Sequence, residues 1–99
     1  MTDATPADAL KIGAGAGYAG DRIEPAVELA RRPDLDYLVF ECLAERTIAL
    51  ARLDMLAGEG AGYNPLLADR LRAVLPACVE NDIRVVTSMG AANPTGAAE

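Results

Sequence analysis

The chain contains no histidine. That removes the usual general base of Ser–His and Cys–His mechanisms, so any such chemistry must borrow its base elsewhere. Cysteine is scarce too: Cys42 and Cys78 are spaced like neither a zinc site nor a disulfide-dense scaffold. A reduced, cytoplasmic protein without a structural metal is therefore expected. Lysine occurs once, and the other eight of the nine cations are scattered arginines set against fifteen acids, for a net charge of −6. A surface that tracks nucleic-acid phosphates needs a dense basic stripe, so nucleic acid is excluded as a partner. No apolar run approaches the ~20 residues of a membrane span. The N-terminal Met-Thr-Asp-Ala-Thr-Pro-Ala-Asp carries two acids and no cation, which argues against a secretory signal.

What is present fits one small domain. The chain has 99 residues, and 20 of its apolar residues are alanine, so the larger apolar side chains can fill only a modest core. Residues 1–8 read as a disordered head. Ala9-Leu10-Lys11-Ile12 is a short apolar run ending at glycine and reads as a first strand. Residues 13–20, Gly-Ala-Gly-Ala-Gly-Tyr-Ala-Gly, read as a flexible-backbone loop. Asp21 is placed to cap a helix over 22–31, with Pro25 in its first turn and Pro33 beyond its end. The unbroken apolar run Tyr37–Phe40 predicts a second strand covered on both faces. A helix over Leu43–Ala57 follows, with Gly58 as its C-terminal cap. Asn64-Pro65 starts a third helix carrying Leu67, Leu71, Val74, Leu75 and Cys78, with a kink expected near Arg72 from Pro76. Ile83–Thr87 is the third strand. Asn93-Pro94 repeats the helix-start signature about one turn before the last residue.

Strand, helix, strand, two helices, strand predicts a Rossmann-like, three-layer α/β fold: a parallel sheet in the order 2-1-3, with helices on both faces. Residues 9–99 are expected to be the N-terminal portion of a larger doubly wound domain, truncated at the start of a fourth helix. Alone it would be marginal or homo-oligomeric, and inactive.

In such a sheet, ligands bind beyond the carboxyl ends of the strands, where strand order reverses. That places the glycine loop beside Ser88–Asn93. Gly15-x-Gly17-x-x-Gly20 has dinucleotide-fingerprint spacing, and Gly13 adds a further backbone site for an anion. Against it, the register of alternate glycines is ambiguous and Asp21 would oppose a phosphate. A merely structural turn is the plain alternative. Glu41, at the end of the second strand, could bind ribose, act as a base or ligate a metal with Asp21; it could equally be a solvated carboxylate at a helix start. Cys42 is a nucleophile or a plain buried thiol. Glu45-Arg46 binds a substrate carboxylate or phosphate, or pairs internally. Ser88 and Asn93 can donate hydrogen bonds to a ligand, and Asn93 also fits a helix N-cap. Tyr18 and Tyr63 sit in loops.

Four phrases together, Gly17-Tyr18-Ala19-Gly20-Asp21-Arg22, Glu41-Cys42-Leu43-Ala44-Glu45-Arg46-Thr47, Gly62-Tyr63-Asn64-Pro65-Leu66-Leu67 and Met89-Gly90-Ala91-Ala92-Asn93-Pro94, resemble the N-terminal part of the bacterial acyclic terpene utilisation family, from about Lys11 to Pro94. Members of that family are longer. The resemblance implies a role in catabolism of citronellol- and geraniol-type compounds, alongside acyl-CoA carboxylation steps, with no assigned reaction. It carries over onto Gly17, Gly20, Asp21, Arg22, Glu41, Glu45, Arg46, Thr47, Gly90, Asn93 and Pro94. Ser88 departs from the asparagine expected before the glycine phrase, which puts that contact in doubt.

The leading expectation is an enzyme segment in acyclic terpenoid or related acyl-CoA breakdown. Asp21 and Glu41 are its acid/base candidates, Gly13, Gly15, Gly17 and Gly20 the cofactor-contacting loop, and Arg22, Glu45, Arg46, Ser88, Gly90 and Asn93 the substrate-binding set. Its ligand is a small molecule or acyl-CoA compound, the remainder of the parent protein completes the site, and no cofactor is named by the sequence. The alternatives are an NAD(P)-binding segment of an oxidoreductase and a non-catalytic scaffolding subunit for carboxylase or hydratase partners.

Overall fold

Three short parallel strands, β1 (Ile12–Ala16), β2 (Tyr37–Phe40) and β3 (Arg84–Thr87), pair in the order β1-β2-β3 in the computed structural model. It describes residues 9–99, so the expected head over residues 1–8 lies outside it. Between the strands run α1 (Glu24–Ala30), α2 (Glu45–Leu56) and α3 (Leu67–Glu80), and α4 (Pro94–Ala98) follows β3.

The expected order 2-1-3 is thus corrected to 1-2-3. The continuous apolar run of β2 takes the central position, with β1 on one side and β3 on the other. Glycine-rich β1 and Arg84-bearing β3 remain at the edges. The chain steps across the sheet in one direction, so strand order never reverses and no switch-point crevice opens between β1 and β3.

The same topology corrects the expectation of helices on both faces. Two right-handed crossovers running in one direction bring their helices to the same side. In register, Gly13, Leu38 and Val85 share one face. There Leu38 and Phe40 are buried with Ala26 and Ala30 of α1 and Val74 and Cys78 of α3. The opposite face carries Ile12, Ala14, Tyr37, Val39, Arg84 and Val86, with Ile12, Arg84 and Val86 exposed. The α/β class stands, with a second helical layer missing from the described residues.

The glycine segment is also redrawn. Gly13 and Gly15 belong to β1, and the register slips between Ala14 and Ala16, so Gly15 occupies a bulge. A β-carbon on Gly15 would stand 2.9 Å from Cε1 of the buried Phe40 ring. One on Gly13 would stand 3.1 Å from Leu35 Cδ2. These glycines let large core side chains lie on the strand backbone. The loop proper is residues 17–23.

The helix ends follow local chemistry only in part. Gly58 caps α2 at φ +74°, and Asn93 caps α4, its side chain accepting from the Gly96 amide. Asp21 does not cap α1: the cap position is Ile23, without a side-chain bond. Asn64 Oδ1 accepts from the Leu66 amide one turn ahead of α3. Pro76 lies inside α3 without ending it, on its exposed side.

Candidate functional site

The carboxyl ends of the three strands and the approach to α3 carry four segments, and the structure ties them together. From the loop after β1, Ala19 offers its carbonyl to the Asn64 side-chain amide at 3.0 Å. From the end of β2, Cys42 donates its backbone N–H to Ser88 Oγ at 2.9 Å, across 46 residues of chain. Asn64 donates its backbone N–H to Met89 O at 2.8 Å, and Ala92 to Gly62 O at 2.8 Å. The Asn93 side-chain amide reaches Ala61 O at 2.9 Å. Gly62 sits at φ +87°, where a β-carbon would strike Met55 Sδ and Asn93 Cβ, so glycine is what permits this closeness.

At the centre lies a residue the sequence reading passed over. Arg70 projects from α3 and is fully buried. Its Nη2 donates to Asp21 O at 2.8 Å and to Ala19 O at 3.1 Å. Its Nη1 approaches Cys42 Sγ at 3.3 Å and Met89 Sδ at 3.5 Å. Nε alone has no partner. Among the described residues no carboxylate forms an ion pair with it. A buried charge without a counter-ion is costly, so this guanidinium is spent on holding three segments at once. The signal was present: Leu67, Arg70, Val74 and Cys78 fall on one helical stripe, and an arginine on an apolar stripe is the anomaly to notice.

Asp21 organises the other side of the first loop. Its Oδ2 accepts from the Gly17 amide at 2.9 Å and its Oδ1 from the Arg22 amide at 2.8 Å. These bonds, Gly17 first, hold its carboxyl below the usual range, with the Arg70 and Arg22 charges acting the same way. The anion position of the glycine loop is therefore filled from within. Glu24 adds a further negative charge in the first turn of α1. Both features work against a dinucleotide pyrophosphate at this point.

The remaining predicted residues divide by environment. Glu41 is exposed, with Oε1 accepting from the Leu43 amide at 3.0 Å. Ser88 and Gly90 are half-buried at the base of the β3 loop. Ala91, next in line, holds φ +47°, an uncommon conformation for a residue with a β-carbon. Arg22 is exposed, 3.9 Å from Glu24. Glu45 and Arg46 open α2 on exposed surface and form no ion pair with each other among the described residues. Gly17 and Gly20 are in the loop, whereas Gly13 and Gly15 are in the strand. Burial pushes the Cys42 thiol up, more than Arg70 draws it down, which opposes a thiolate nucleophile. Tyr18 is exposed, and Tyr63 packs against the core. Among the described residues no three His, Cys, Asp or Glu side chains are grouped to hold a metal ion.

Beside Ser88 an open hollow of about 460 Å³ is walled by Leu43, Leu67, Leu71 and Ala97, with Thr87 and Ser88 at its polar end. A larger one, about 570 Å³, lies at the opposite, amino end of the strands near Lys11, Asp34 and Asp36. There Lys11 already pairs with Asp34, and its amide with Asp36. The 460 Å³ hollow is thus the one that adjoins the tied loops.

The family model described as "Acyclic terpene utilisation family protein AtuA" matches residues 10–99. Neither the curated proteins nor the solved structures yield a match to the chain.

Proposed function

The chain belongs to the acyclic terpene utilisation family, and on that premise we propose that it serves the breakdown of acyclic terpenoids of the citronellol and geraniol type, or related acyl-CoA compounds, as the ligand-holding part of an enzyme. The observation that carries the proposal is the tying of four loops around Arg70 at the carboxyl end of the sheet. A hollow with leucine walls and a hydroxyl-bearing end adjoins them. Such a hollow suits a branched hydrocarbon chain with one polar head. In this reading Ser88, in the wall of the hollow, hydrogen-bonds the head group, and Asp21 and Glu41, beyond the carboxyl ends of β1 and β2 and outside the hollow's own lining, are the acid/base groups. Arg22 and Arg46 stand on exposed surface, available to an anionic tail such as a CoA phosphate.

Calorimetric titration of the full chain with a CoA thioester of an acyclic terpenoid acid tests this. Saturable binding is expected, weakened at least tenfold by Leu71→Asp. Asp21→Asn and Glu41→Gln should leave binding in place while abolishing terpenoid consumption in cells that depend on this protein. Absence of binding at millimolar thioester, or full consumption with both amide variants, would overturn the proposal.

A further inference from the structure

At the polar end of the hollow beside Ser88, hydrogen-bond acceptors are spent and donors are left over. The backbone carbonyls of the turn after β3 are occupied: Ser88 O accepts from the Ala91 N–H at 3.2 Å, Met89 O from the Asn64 N–H at 2.8 Å and Gly90 O from the Asn93 N–H at 2.8 Å. The Gly90 N–H, by contrast, donates to no group among the described residues. The two hydroxyls follow the same pattern. Ser88 Oγ accepts from the Cys42 N–H and Thr87 Oγ1 from the Met89 N–H, both at 2.9 Å. Their own O–H groups share one carbonyl, Phe40 O, at 3.5 Å from Ser88 and 3.3 Å from Thr87. That oxygen already takes the Ser88 N–H at 3.1 Å, so three donors compete for two lone pairs. The Ser88 hydroxyl, at the longest distance, is the one displaced. Two donors in want of an acceptor, the Ser88 O–H and the Gly90 N–H, thus belong to residues that line the hollow, and no charged side chain lines it with them.

Taking this hollow as the terpenoid site proposed above, we infer that the head group it selects is a neutral carbonyl of the ester or thioester type, whose oxygen accepts from Ser88 Oγ and the Gly90 N–H. A carbonyl brings lone pairs and no proton. An alcohol brings a proton as well, and the carbonyls of residues 88–90 are already taken. A carboxylate brings a full charge to a lining without a cation, on a chain whose net charge is −6. The leucine walls receive the same hydrocarbon chain in each case, so the choice falls on the head group.

Equilibrium binding of the full chain to three ligands sharing one branched acyclic hydrocarbon chain tests the inference: the methyl ester, the alcohol and, at neutral pH, the carboxylate. The ester should bind about tenfold more tightly than the carboxylate. It should also bind about threefold more tightly than the alcohol, once these two are corrected for partition into octanol. In the complex its isotope-labelled carbonyl should stretch at a lower frequency than in an alkane solvent. Ser88→Ala should raise that frequency and weaken ester binding about fivefold. Gly90 is left unaltered, because a β-carbon there would stand 2.7 Å from Pro94 Cα. The ligand ranking and the stretch are read in the unaltered protein, so they decide the matter even if Ser88→Ala, which also strips the Cys42 N–H of its acceptor, loses its fold. An ester that binds no better than the carboxylate, or a carbonyl stretch at the alkane position, overturns the inference and leaves the hollow as a terpenoid site. A stretch indifferent to Ser88→Ala in a folded variant does the same. If none of the three ligands binds, the proposed function falls and the inference with it.

Discussion

α2 and α3 follow one another in the chain and have similar lengths, 12 and 14 residues, yet α3 buries four side chains and α2 none. Both are rich in leucine. The difference is phase. Leu67, Arg70, Val74 and Cys78 advance by threes and fours and stay on one line. Leu50, Leu53 and Leu56 advance only by threes, and each step falls about 60° short of a full turn, so the line swings around the helix. α3 is consequently the beam from which the site is hung, and α2 is a helix attached by its narrow side. Leucine content does not decide burial; coherence of spacing does.

The sharpest way to break this contrast is to remove the beam's central contact. Arg70→Met keeps the bulk but strands the carbonyls of Ala19 and Asp21, and should cost about 3 kcal/mol or more in urea unfolding. Arg70→Lys should recover only part, since an ammonium cannot reproduce the planar fork. Gly15→Ala tests the strand on which the core rests. Its methyl must displace the Phe40 ring, and a loss of about 1–3 kcal/mol is expected by the same measurement. The helices can then be compared directly. Val74→Ala should cost about 1–2 kcal/mol through the cavity left at a fully buried site, whereas Leu53→Ala should change single-chain stability by less than about 0.5 kcal/mol at dilute concentration. An equal cost for the two would erase the distinction.

The smallest effect is electrostatic. Asp21 is held below its ordinary value of 3.8 by Gly17 and Arg22. Its contribution is therefore complete above pH 3.8 and is lost as pH falls through its lowered value in the folded chain. Asp21→Asn should flatten that part of the acid limb. At the other extreme, Cys42 is raised above 9.0 by burial, so its contribution is complete below pH 9.0 and lost as pH rises through the folded value; Cys42→Ala should flatten the alkaline limb. Unfolding free energy measured against pH reads both.

How much of this was legible in the sequence follows the same division between local and distant causes. The second and third strands, the Gly58 and Asn93 caps and, apart from exposed Leu75, the apolar stripe of α3 were readable because each rests on neighbouring residues; the first strand, expected over 9–12, lies instead over Ile12–Ala16, in the glycine run read as loop. Strand order was not, because it depends on which strand can tolerate two partners, a comparison of Tyr37–Phe40 with two segments far away in sequence. The glycine run misled for a related reason. Gly13 and Gly15 look like loop residues until Leu35 and Phe40 are known to lie on them. Asp21 looked like a helix cap and instead closes its own loop on Gly17. The four phrases were readable as separate strings, and the loops that carry them converge. Their tie, Arg70, was hidden among scattered arginines because its role depends on carbonyls and sulfurs that carry no sequence signature.

The central claim is that Arg70 of α3 holds the loops after all three strands as one unit. Hydrogen exchange of the Arg70→Met chain, compared peptide by peptide with the unaltered protein, tests it most directly. The account predicts that segments 17–22, 41–44 and 88–93 lose protection together, while α2 exchanges as before. Loss confined to the neighbourhood of residue 70, or an equal loss across α2, would contradict it.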